Sequence, residues 1–272
     1  MIINEKNVAS YITKSKLPDA DYVINPYVGC PHKCIYCYAE FMKRFTNHPN
    51  EEWGDFLDIK RSEFKFDLKK YENSSILFGS VTDAYNPYEK KYEISRNILK
   101  CFLESNAKID ILTKSKLVLR DLDIITKIKN IRIGISLNTL DDQFRKIIEP
   151  YASSIENRID VLKQLKKNNI SNYLFMSPIF PGITEFKQII EKTKEFVDLY
   201  CFENLNLRAT YKPRVLKLIK EMYPDQVNLY DDIYNKKNAS YWYELEQEII
   251  NYCEENKIKY KIYFYHEKIR KE

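Results

Sequence analysis

Glycine is the first shortage in this chain, with only 5 in 272 residues. Neither a Gly-x-Gly-x-x-Gly turn nor a phosphate loop ending in Gly-Lys-Ser/Thr occurs, so neither a dinucleotide-binding fold nor a nucleoside triphosphatase is supported. No run of 18 or more apolar residues occurs either, and no membrane-spanning helix is expected. Cysteine, 6 in all, is too sparse for a disulfide-stapled secreted scaffold. Met1-Ile-Ile-Asn-Glu-Lys6 carries no apolar signal segment, so a cytoplasmic location is expected. Internal repeats, low-complexity tracts and long linkers are missing too, which leaves one domain over residues 1–272 as the expectation. Charge is nearly balanced at a formal +5, compatible with a nucleic-acid substrate without indicating one.

What is present is a cysteine triplet in Asn25-Pro-Tyr-Val-Gly-Cys-Pro-His-Lys-Cys-Ile-Tyr-Cys-Tyr38. Core cysteines are normally buried singly, so Cys30, Cys34 and Cys37 together call for a ligand. Three thiolates can hold three corners of a 4Fe-4S cluster and leave its fourth iron open to a second cofactor. The competing reading is zinc, with His32 or His48 as fourth ligand. Zinc motifs usually come as two separated pairs, however, and no second Cys or His pair follows.

Short apolar runs alternate with amphipathic stretches, the pattern of β-α units and a parallel sheet. Six core strands are expected at 22–28, 75–81, 108–113, 131–137, 172–177 and 201–208, with an accessory strand at 56–60. Helices are expected at 94–104, 117–128, 155–167 and 186–199; a helix at 241–256 and a strand at 260–264 close one edge. Parallel α/β folds place their chemistry at the C-terminal ends of the strands. Polar residues gather there: Thr82 and Asp83 after the second strand, Lys114 after the third, Ser136 and Asn138 at the fourth, and Arg208 after the sixth. Taken singly, Asp83 reads equally well as a turn cap and Ser115, beside Lys114, as a helix cap. Thr82 and Asp83 can accept from an ammonium group, Lys114 can pair with a carboxylate, and Arg208 can clamp one bidentately. The apolar turn Ser177-Pro-Ile-Phe-Pro-Gly182 can wall an adenine pocket. Cys101 and Cys253 read as packing thiols, which leaves Cys201, at the sixth strand, as the candidate catalytic thiol. The basic tail Lys257 to Lys271 reads as a solvated face or a phosphate contact.

Cys-x3-Cys-x2-Cys with the aromatic Tyr36 before its last cysteine resembles the signature of radical S-adenosylmethionine (SAM) enzymes. Val81-Thr-Asp83, Thr113-Lys-Ser115, Leu119-Arg-Asp-Leu122, Thr139-Leu-Asp-Asp142, Glu149-Pro150, Arg158 and the Ser177–Gly182 turn resemble the subgroup related to spore photoproduct lyase, called DNA repair photolyase-like. The similarity covers approximately residues 20 to 210. It implies a partial (β/α)6 barrel with short N- and C-terminal extensions, the latter about 211–272. It also implies a cluster on Cys30, Cys34 and Cys37 whose open iron chelates the amino and carboxylate groups of SAM, with Tyr36 near the adenine. Thr82 and Asp83 would then meet the amino group, and Lys114, Ser136, Asn138 and Arg208 the rest of the molecule. The implied chemistry is reductive cleavage to a 5′-deoxyadenosyl radical that abstracts hydrogen from substrate, fed by a one-electron donor such as flavodoxin or ferredoxin. One departure stands out. The lyase carries a donor cysteine just ahead of its Ser/Thr-Asp pair, where this chain has Gly79-Ser80-Val81. Radical initiation is therefore implied without dimer repair. The rival class is a nucleic-acid-binding or repair-accessory protein with a structural iron-sulfur or zinc site; a radical SAM enzyme acting on peptide or RNA also fits. Specificity is expected to reside in residues 38–70 and 209–272.

Overall fold

Two sheets organise the computed structural model, which describes residues 1–208 and 210–264. Their strands, in chain order, are β1 (Ile2–Asn7), β2 (Ile12–Lys14), β3 (Tyr22–Ile24), β4 (Tyr27–Val28), β5 (Phe56–Arg61), β6 (Ser75–Phe78), β7 (Lys108–Thr113), β8 (Ile131–Ser136), β9 (Ser171–Ile179), β10 (Tyr200–Asn204) and β11 (Tyr260–Ile262). The larger sheet runs β11-β10-β9-β8-β7-β6-β3-β2, parallel throughout except where β2 meets β3. Its β3 and β6 to β10 are the six expected core strands, and β11 extends the parallel run by one. The smaller sheet, β1-β5-β4, turns the accessory strand β5 into the centre of a brace behind the cysteine loop.

The large sheet is open, yet it curls. Lys261 of β11 reaches Asp19, in the turn between β2 and β3, at 3.1 Å. Six strand spacings would hold these residues roughly 30 Å apart in a flat sheet. A partial barrel brings them together. Its interior carries a polar floor: Asp110 of β7 pairs in register with Arg132 of β8, and Tyr173 of β9 donates to Asp110 Oδ1 at 2.8 Å.

Helix boundaries depart from the expected ones where side chains make tertiary contacts. The stretch expected as one helix at 117–128 is a 3-10 turn, Lys116–Asp121, followed by a short helix, Leu122–Ile125. Asp121 is the reason. Fully buried, it accepts from Tyr85 Oη at 3.1 Å, Arg96 Nη1 at 2.8 Å and Arg120 Nε at 2.7 Å, and these bonds hold the turn in place. By contrast Ile155–Lys167 forms as its apolar spacing predicts, with the Ser154 hydroxyl capping Asn157 N. The helices Lys212–Met222 and Val227–Tyr234 were not expected from the sequence pattern. No described helix is long and apolar enough to cross a membrane. The basic tail beyond Phe264 lies outside the described residues.

Candidate functional site

The chain leaves the barrel at β4 through Gly29, whose φ of +92° suits glycine alone, since a Cβ there would lie 2.3 Å from the Phe56 carbonyl oxygen. Two tight turns follow, closed by Lys33 N on Cys30 O and Cys37 N on Cys34 O, both at 3.2 Å, and they set the three thiols on one loop. None is in a disulfide. Burial pushes Cys30 up to about 12 and raises Cys34 and Cys37 as well. Against burial work the backbone N–H groups of His32 and Asp83 at Cys30, that of Ala39 at Cys37, the Trp53 indole at Cys37, and the Lys114 ammonium beside Cys34 and Cys37. Such donors suit thiolates, and a bound metal's charge would supply the remaining stabilisation.

The donor set also bears on which metal fits. Among the described residues no three His, Cys, Asp or Glu side chains converge to hold one ion, as a single zinc at about 2.3 Å from each sulfur would require. Both candidate fourth ligands are engaged elsewhere. His32 faces Asp83, Nδ1 to Oδ2 at 3.3 Å, and burial lowers its pKa. His48 binds Asp58 at 2.8 Å and stacks on Phe56, ring centroids 4.0 Å apart. Three thiols without a fourth ligand among the described residues fit a cluster with one open iron better than zinc.

The polar strand ends gather around this loop. Thr82 donates to Gly29 O at 2.7 Å. Asp83 accepts from Thr113 Oγ1 at 2.7 Å and from the backbone N–H groups of Lys114 and Tyr85, each at 2.8 Å. Both residues thus lock the loop onto β7, a task the sequence reading did not assign them. Lys114 Nζ stands 5.8 Å from the Tyr36 ring centre; burial opposes its charge, but Cys34 and Glu149 raise its pKa on balance. Ser136 donates to Ser177 O and Asn138 to Pro178 O, both at 3.2 Å, joining the ends of β8 and β9. Asn138 Oδ1 is buried without a partner, an acceptor left for a ligand.

Arg208 lies exposed with Nε on Asn206 Oδ1 at 3.2 Å. Cys201 is the second residue of β10, at the strand's start, and its charged neighbours are Arg132, Asp110, Lys261 and Asp19 of the barrel floor rather than groups of the cysteine loop. Burial pushes its thiol up to about 12. Cys101 and Cys253 sit in the helices Ile94–Cys101 and Ser240–Glu255.

Glu149 was quoted from the sequence without a role, and its contacts supply one. Tyr36 Oη donates to Glu149 Oε1, and Arg158 Nη2 donates to Glu149 Oε2. Arg158 continues through Nη1 to Ser136 O at 3.0 Å and through Nε to Ser153 O at 2.9 Å. Arg158 and Lys114 hold Glu149 below the usual carboxylate range although burial pushes the other way. From the C-terminal side, Arg214 donates to Ile35 O at 3.0 Å and pairs with Glu40 at 2.9 Å. Residues beyond 210 therefore clamp the loop, and no local pattern signals it.

The model of the Radical SAM superfamily matches residues 24–197. The uncharacterized protein MJ0683 of Methanocaldococcus jannaschii is 41% identical over 225 residues, covering 83% of this chain and 84% of that protein. Among solved structures, a spore photoproduct lyase mutant with bound AdoMet and dinucleoside spore photoproduct superposes with a TM-score of 0.59 at 16% identity, over 82% of this chain and 66% of the lyase. Streptococcus suis SuiB bound to S-adenosylmethionine gives 0.57 at 16% identity, over 88% of this chain and 49% of SuiB. With well over half its length matched and a partial barrel around the cysteine loop, the chain belongs to the radical SAM superfamily, whose cofactors are a 4Fe-4S cluster and SAM.

Proposed function

We propose that Cys30, Cys34 and Cys37 ligate a 4Fe-4S cluster and that SAM occupies the adjoining mouth of the barrel, contacted by Tyr36, Thr82, Asp83, Lys114, Ser136 and Asn138. When bound, this pair supplies one-electron reductive cleavage of SAM and a 5′-deoxyadenosyl radical for hydrogen abstraction. The observation that carries the reading is the thiol loop itself: Cys30 and Cys37 are served by N–H donors, Cys34 and Cys37 by the Lys114 ammonium, and His32 and His48 are engaged elsewhere. In this scheme Lys114 offers a cation to a carboxylate, and Asn138 Oδ1 an acceptor to a polar edge. Tyr36 keeps its ring in place through Glu149. Pro178, Ile179 and Phe180 are buried, and the Phe180 ring meets the Tyr36 ring edge-on at 5.7 Å. Electrons come from an external one-electron donor such as flavodoxin or ferredoxin, in a cytoplasmic, oxygen-poor setting.

A nucleic acid is the substrate class best supported. Directly after Cys37 the 3-10 helix Tyr38–Phe45 exposes Tyr38, Phe41 and Phe45. The Arg44 guanidinium lies 4.7 Å from the Phe45 ring centre and 5.5 Å from that of Phe41. Aromatic faces beside a cation suit unstacked bases and their phosphates. The thymine-dimer chemistry of the lyase is not part of this proposal, because Gly79-Ser80-Val81 offers no donor thiol. The test is anaerobic reconstitution, iron and sulfide analysis, and assay for 5′-deoxyadenosine with and without UV-irradiated DNA. Four irons with 5′-deoxyadenosine is the expected result; a single zinc and no product would refute it.

A further inference from the structure

Trp53 lies where the small sheet meets the cysteine loop. It is only 8% exposed and stands edge-on to Phe56, ring centroids 5.6 Å apart. With Ala39 and Phe56 it forms a small apolar cluster against which Cys37 packs. Its Nε1 is buried and has no hydrogen-bond partner among the described residues. A buried N–H left unpaired costs about 1–3 kcal/mol, so a tryptophan here calls for an acceptor. The sulfur packed against this cluster is that of Cys37.

The segment carrying Trp53 is locked to the loop at two further points. Gly54 has a φ of +98°, and a Cβ on it would lie 2.6 Å from Lys33 Cγ and 3.0 Å from Cys30 O. Asp55 pairs with Lys33. The segment carrying the indole is therefore fixed against the loop by these contacts as well as by the indole's own packing.

We propose that Trp53 is a positioning residue whose indole N–H hydrogen-bonds the Cys37 thiolate and raises the reduction potential of the cluster. This rests on the cluster assignment made above. Hydrogen bonds to cluster sulfurs are among the factors that set iron-sulfur potentials. The added electron increases negative charge on the sulfur, so a donated N–H favours the reduced state more than the oxidised one. Of the groups serving Cys37, the Ala39 N–H belongs to the backbone and Lys114 acts through its charge. Trp53 is the neutral side chain among them, and it alone can be removed by substitution without losing a charge.

The test is an EPR-monitored redox titration of the full, anaerobically reconstituted chain in three forms: wild type, Trp53→Phe, and protein with 3-benzothienylalanine at position 53, which keeps the two-ring shape but lacks the N–H. Expected are wild-type iron and sulfide contents and a midpoint potential shifted negative to the same extent in both variants. At the wild-type midpoint, the reduced-to-oxidised ratio should fall about threefold to tenfold. Unchanged potentials with intact clusters would overturn the proposal, as would a shift in Trp53→Phe that the benzothienyl form does not share, which would indicate packing. If Trp53→Phe does not fold, the benzothienyl protein decides alone. Wild-type protein that binds no 4Fe-4S cluster overturns the cluster assignment, and the role of Trp53 with it.

Discussion

Tyr36 and Glu149, 113 residues apart, share a buried hydrogen bond that ties the cysteine loop to the segment after the helix Asp142–Ile148. Through Arg158 the same carboxylate reaches the end of β8, so one buried acid links the loop, the fourth core strand and the helix Ile155–Lys167.

Removing Arg158 leaves Glu149 as an unpaired charge in the core, since the two are 1% and 0% exposed. Arg158→Met should cost about 3–5 kcal/mol. Tyr36→Phe removes one donor but leaves the ion pair, and should cost about 1–2 kcal/mol. Urea unfolding of the cluster-free protein measures both, and equal costs would contradict the chain of contacts.

Acid should dissolve the same link. Glu149 is depressed in the fold by Arg158, Lys114 and Tyr36, with Cys34 and His32 also facing it. A depressed acid stabilises the fold fully above its unfolded pKa, about 4.3, and the contribution is lost as pH falls through the lower folded value. The urea midpoint of the cluster-free protein should therefore fall below about pH 4.5, more steeply in wild type than in Glu149→Gln. Parallel curves would exclude this source.

Each of Cys30, Cys34 and Cys37 should be indispensable for iron. Cys34→Ala, anaerobically reconstituted, is expected to hold iron and sulfide near background while keeping its far-UV circular dichroism. Wild-type iron content in that variant would refute the ligand assignment.

Gly29→Ala tests the brace between loop and small sheet. The left-handed backbone costs an L-residue about 1–2 kcal/mol, and the new Cβ must also displace the Phe56 carbonyl. A total loss above about 2 kcal/mol is expected, read as a lower thermal midpoint together with poorer cluster retention on gel filtration. Wild-type behaviour in both would show that the loop docks differently.

The cysteine spacing, the strands at 108–113 and 155–167 as a helix were all legible because each is a local pattern: a motif within eight residues, an alternation of period two, an apolar face recurring every three to four positions. Polar residues at strand ends were legible too, since strand direction in a parallel fold says which end they occupy. Their partners were not. Asp83 offered itself as a ligand for an ammonium group or as a turn cap, and it binds Thr113 and the Lys114 N–H. Cys201 sits at the beginning of its strand, which a closer look at its boundary already suggests.

Chain order alone specified the radical SAM signature, the parallel α/β architecture and the absence of a thiol at Gly79-Ser80-Val81, because these depend on residue identity and short spacing. Folding settled how the loop is held. Trp53 and Asp55 reach it from the small sheet, Glu149 and Arg158 from behind the fourth strand, and Arg214 from the C-terminal segment. Such contacts join residues some 15 to 180 positions apart, and only the curl of the sheet and the docking of β5 bring them within hydrogen-bonding range.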